Sequence, residues 1–120
     1  MLRTIFVFLM LAPLAVIAQE VPLEAQRDLW CGTAFELMTR DAPADATPEK
    51  LAAAEAYAVG GAFLVSRALP IYLEAGYSDA ALARLRDDLS DKVGRIVNGS
   101  ARGGEEAAYS FQDCSALIGQ

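Results

Sequence analysis

The chain has 120 residues, with 16 Asp and Glu against 10 Lys and Arg, a net charge of −6 and no histidine. That length supports one domain with a modest core and not two. The acidic balance leaves nucleic acid and anionic lipid surfaces without the cations that bind them, so neither is expected as a partner.

The N-terminus reads as an export signal. Arg3 supplies a positive start, Ile5 to Ile17 is an uncharged apolar run, and Val16 and Ala18 suit a signal peptidase site. Cleavage is expected after Ala18, leaving 19–120 as a single helical domain. The apolar run has 13 residues, short of the ~20 that span a bilayer. The alternative is an uncleaved anchor, which would make the protein an accessory subunit held at a membrane. The expected compartment is the periplasm or the exterior. Losing Arg3 makes the remaining chain one unit more acidic.

Helical signals then follow in order. Pro22 suits a first helical turn, and Leu23, Arg27, Trp30, Cys31, Ala34, Phe35 and Met38 share one face at spacings of three and four. Asp41 to Thr47 reads as a loop. Thr47-Pro48-Glu49 is a helix start, with an N-cap, a proline in the first turn and an acid at the positive end of the dipole. The second helix runs towards Ala75 and stops at Gly76, and Pro70 predicts a kink or break near Ala68 and Leu69. Between Leu51 and Leu73 the only charges are Glu55 and Arg67. A helix apolar nearly all round is expected to be the buried centre of its domain.

Ser78-Asp79 caps a third helix, with Leu82, Leu85, Leu89, Val93, Ile96 and Val97 as its apolar stripe and Asn98-Gly99 as its end. Ser100 to Glu106 reads as a loop. Ser110 and Asp113 are spaced as a capping box, opening a short last helix with Cys114, Leu117 and Ile118 inward. The expected fold is all-α: a small four-helix, mostly antiparallel bundle.

Cys31 and Cys114 are the two cysteines. In an exported chain they are expected to pair, joining the first helix to the last. The alternatives are an intermolecular bridge or free thiols.

Chemistry is sparse. Without histidine there is no Ser-His-Asp or Cys-His arrangement, and a tetrahedral zinc site lacks ligands. Asp87, Asp88 and Asp91 form the densest acidic group, but no calcium-loop spacing surrounds them. Arg84, Asp88 and Lys92 fit an ordinary solvated ladder. No catalytic, cofactor or metal residues are assigned. Gly60-Gly61 gives up about 1 kcal/mol of helix propensity per glycine, and close helix packing is the expected reason. Arg67, alone in an apolar stretch, is expected to pair with an acid or to snorkel.

The expectation is a non-enzymatic exported protein that binds an unidentified protein partner or acts as a stress-related holdase. It rests on the missing catalytic constellation and on an apolar-rich helical chain. The alternative is a carrier of a small apolar ligand in a pocket between helices. No cofactor is expected, and the sequence leaves the oligomeric state open.

Overall fold

A computed structural model describes residues 20–41, 43–99 and 107–119. The signal segment read at 1–18 and the loop read at 100–106 lie outside the described residues. Four helices form: α1 (Leu23–Thr39), α2 (Pro48–Glu74), α3 (Asp79–Val97) and α4 (Phe111–Ala116). Among the described residues there is no strand.

The helix ends follow the local chemistry of the sequence. The Thr47 hydroxyl accepts from the Lys50 N–H at 3.3 Å, and the Ser78 hydroxyl accepts from the Ala81 N–H at 3.1 Å. At α4 the capping box closes in both directions. The Asp113 N–H donates to Ser110 Oγ at 3.0 Å, and the Ser110 N–H donates to Asp113 Oδ2 at 3.3 Å. The end of α2 is a Schellman motif. Gly76 takes a φ of 103°, its N–H donates to the Leu73 carbonyl, and the Tyr77 N–H reaches back to Tyr72 O. The Tyr77 ring completes the motif by packing edge-on to Tyr72 with centroids 5.2 Å apart.

Of the kink or break expected at Pro70, the break does not occur, and α2 runs on to Glu74. A proline removes one donor and frees the carbonyl four residues earlier. Here that residue is Ser66, and both Ser66 and Pro70 are exposed, so water can serve the freed carbonyl.

The central helix is α1, not α2. Asp28 to Phe35 are buried without a gap, which requires neighbours on every side. α2 packs antiparallel along one side, as Asp28 meets Arg67 and Phe35 meets Tyr57. α3 runs parallel along another: Leu82 and Leu85 pack with Ala25 and Leu29, while Val93 and Ile96 pack with Trp30 and Phe35. α2 therefore presents only one face to the core. Its buried residues are Gly61, Leu64, Val65, Ala68 and Tyr72.

The Cys31–Cys114 disulfide is present, with Cα atoms 5.2 Å apart, and joins α1 to α4 as the sequence predicts. A disulfide of this kind fits an oxidising compartment outside the cytoplasm.

The crossing of α1 and α2 depends on two glycines. A Cβ at Gly32 would stand 2.7 Å from Val65 Cγ2 and 2.8 Å from the Gly61 carbonyl oxygen. One at Gly61 would stand 2.9 Å from Phe35 Cβ. The expected close packing at Gly60-Gly61 is found, although the two glycines do different work. Gly60 faces Ile118, whose side-chain atoms lie 2.6–3.0 Å from an added Cβ. Gly32→Ala should therefore cost about 1–3 kcal/mol, because backbone must move, even after the gain in helix propensity. In Gly60→Ala the clash reaches the Ile118 Cβ, so the turn after α4 must shift, and the change should cost less than Gly32→Ala, at about 0.5–1.5 kcal/mol. Thermal melts of the two variants test this, and a Gly32→Ala protein as stable as wild type would refute the crossing.

Candidate functional site: the outer face of α2

The face of α2 opposite α1 is apolar and uncovered. Ala52, Ala56, Val59, Phe63, Ser66, Pro70 and Leu73 are all exposed and recur at alternating steps of four and three. Val59 is 65% exposed, Phe63 54% and Leu73 44%. Side chains at these steps lie along one line on a helix. Ser66 is the polar member, and its hydroxyl already donates to the Phe63 carbonyl at 2.8 Å. Its side chain therefore asks nothing of a partner, and the Ser66 carbonyl freed by Pro70 is the polar group that this line leaves to water.

A shallow groove of about 420 Å³ runs beside this line, lined by Ala56, Val59, Gly60, Phe63, Leu117 and Ile118. Gly60 makes the groove possible, since it lets Ile118 lie against the α2 backbone. The C-terminal turn after α4 thus forms one wall. The disulfide holds α4 in place.

Arg67 stands at the edge of the same face. Its Nε donates to Asp28 Oδ2 and its Nη2 to Asp28 Oδ1, both at 2.8 Å. The pair is bidentate, the strongest geometry available to these groups. This hydrogen bonding holds the Arg67 guanidinium above its ordinary pKa, so it stays cationic at every accessible pH. The guanidinium carbon also lies 5.1 Å from the centre of the Phe63 ring, a cation–π contact that steadies that ring. Of the two roles expected for Arg67, pairing is the one found. Its partner Asp28, with a side chain only 5% exposed, carried no signal in the sequence beyond its acid type.

The aromatic residues divide. Phe35, Tyr57 and Phe111 cluster with centroids 5.1–6.2 Å apart, and Trp30 meets Tyr109 at 5.8 Å. Trp30, Phe35, Tyr109 and Phe111 border an apolar pocket of about 140 Å³ that includes Met38 and Ile96. It lies between α1, the end of α3 and α4. Tyr72 and Tyr77 belong to the other core cluster, and Phe63 stands outside both.

The acids Asp87, Asp88 and Asp91 are exposed on α3. Among the described residues, no three His, Cys, Asp or Glu side chains converge to hold a metal ion. α2 is long and apolar enough to cross a membrane by length and composition, with a mean hydropathy of 1.3. One of its faces is nevertheless committed to α1 and to the Asp28 pair. Comparison with known proteins found no matching family, no matching curated protein and no matching solved structure.

Proposed function

We propose that the chain is an exported, periplasmic, non-enzymatic protein that works by docking a protein partner on the outer face of α2. In this reading the four helices act as one disulfide-stapled bundle whose purpose is to display that face. The observation that carries it is the unbroken exposed apolar line from Ala52 to Leu73. Lone exposed apolar residues are ordinary, but contiguous ones on a soluble domain mark contact surfaces.

The test is occupancy of that face in the producing cell. A Val59→Cys protein should react with an impermeant maleimide at least about tenfold more slowly in cells than when purified and dilute, as for a buried interface position. An Asp88→Cys control should react equally in both. Equal reaction of Val59→Cys in both settings would sink the docking reading. The holdase version makes a further demand, since the purified protein must suppress aggregation of an unfolded client at neutral or acid pH. No suppression removes that version alone.

A second reading is favoured by the aromatic pocket of about 140 Å³. Its volume is close to the roughly 150 Å³ engineered cavity that takes up benzene. A small apolar ligand there would appear as an added mass in native mass spectrometry of protein recovered from its host. A clean apo mass would remove this reading.

A further inference from the structure

The spacing of the exposed line on α2 says what kind of surface fits it. Steps of four and three average 3.5 residues, the repeat that keeps one helix in register with another. The line covers 21 residue steps, roughly 32 Å of helix. A flat lipid surface needs no such repeat, and helices that lie on membranes carry Lys and Arg along their flanks. The cations of α2 are Lys50 and Arg67, against Glu49, Glu55 and Glu74, and Arg67 is already bound to Asp28.

We infer that the occupant of this face is α2 of a second copy of the chain, packed antiparallel about a twofold axis near Gly61 and Ala62. This rests on the docking reading above and names its partner.

Three features select a second copy. The first is that the face is complementary to itself. In the antiparallel register Val59 lies opposite the second copy's Phe63, Ala56 opposite Ser66, and Ala52 opposite Pro70, while Leu73 at the end of the line meets Glu49. The bulky pair therefore meets at the centre and small residues meet on either side, which lets the helices approach. The same register brings each Phe63 towards the shallow groove that Val59, Gly60 and Ile118 line on the other copy. Each chain thus carries both the projecting ring and the recess for it, the requirement for a twofold interface. A parallel pairing would set Phe63 against Phe63 and leave both grooves empty.

The second feature is charge. A chain of net −6 is repelled by its copy unless the contact itself is neutral. On the flanks of this register Glu55 lies opposite Leu69, and Arg67 lies opposite Ala53. No like charges face one another. The third is area. A strip roughly 32 Å long and 10–12 Å wide covers roughly 350 Å² on each copy and about 700 Å² for two, and Leu117 and Ile118 add to it at the edge. That size belongs to weak, concentration-dependent association and not to an obligate dimer.

Sedimentation velocity of the protein as recovered from its host, from about 1 to about 300 μM, provides the measurement, since interfaces of this size associate in that range. The expected result is a mass that rises from one copy towards two. Val59→Asp with Phe63→Asp should hold it at one copy with the helical spectrum unchanged, because both side chains are exposed. Oxidative cross-linking then tests the register without relying on loss of association. A cysteine at Ala62 should cross-link to its counterpart across the axis. A cysteine at Ala52 should not, being roughly 27 Å along the helix from its own copy. A wild-type protein that stays at one copy throughout overturns the inference, as does cross-linking at Ala52 but not at Ala62. If Val59→Cys is protected in cells while the purified protein remains a single copy, the docking reading stands with a different partner and the self-pairing falls.

Discussion

Replacing Cys31 and Cys114 together with alanine should lower stability by roughly 4–5 kcal/mol, because the bridge closes a loop with a sequence separation of 83 residues. That figure follows from the conformational freedom the bridge removes from the unfolded chain. It is a large share of the roughly 5–15 kcal/mol that holds a typical domain together. For a domain near this size, about 1 kcal/mol moves Tm by ~4–8 °C, so a fall of roughly 20 °C is expected. Alanine is the better probe because both positions are buried in an apolar cluster with Trp30, Phe35 and Val93, where serine would add an unpaired hydroxyl. The loss should also be uneven. α4 has six residues and packs on α1, too short to persist without tertiary support. Amide exchange at Cys114 and Ser115 should therefore accelerate before the amides of α1 do. A Tm within about 5 °C of wild type would show that the bridge does not hold the fold.

Arg67→Ala should be the most damaging single substitution on the surface of α2, at about 2–3 kcal/mol. Asp28 is 3% exposed and both of its oxygens are taken by Arg67. Removing the partner of a fully buried pair costs about 3–5 kcal/mol, chiefly through the orphaned charge. The Arg67 side chain is 43% exposed, so water can enter where it stood, and the expected loss is reduced accordingly. The double variant Asp28→Asn with Arg67→Ala should recover most of the stability, because no buried charge remains. Arg67→Lys should fall between, having lost the planar fork. Thermal melts at neutral pH decide the matter, and a single variant that melts with wild type would show that the pair contributes nothing. Its position matters for the face as well. Arg67 steadies Phe63, so the same variant should loosen the ring at the centre of the proposed interface.

Local signals in this sequence are legible and long-range ones, the disulfide excepted, are not. Thr47, Ser78 and the Ser110–Asp113 box each act within three or four residues, and each sits where its chemistry places it. The disulfide was legible because two cysteines have a single intramolecular pairing. The central helix was misread, since hydropathy counts residue types and not neighbours. α1 carries Asp28 and Thr33 in its buried run, yet both are satisfied: Asp28 by Arg67, and Thr33 by donating to the Leu29 carbonyl at 2.7 Å. A helix with partnered polar groups can be buried, and a more apolar helix can lie outside it. Gly32 stands alone in α1, and its meaning appears only opposite Gly61. The outer line on α2 was in the sequence as an apolar stretch. What could not be read there was which of its faces α1 would leave bare.

The placement of α1 has a consequence for the order in which the chain becomes structured. The helix surrounded on every side is the first of the four to emerge during synthesis or export. Its last neighbour, α4, begins at Phe111, more than seventy positions after Thr39. Asp28 to Phe35 can be covered on one side by α2 as soon as it follows, but the burial is complete only once α3 and Cys114 are in place. Long-range closure of this kind slows folding compared with a hairpin of helices that bury one another in turn. It also defines a window in which the most deeply buried part of the molecule is open to mispairing and aggregation. The last step to form, the link from Cys114 to Cys31, closes that window and locks in place the helix that arrived first.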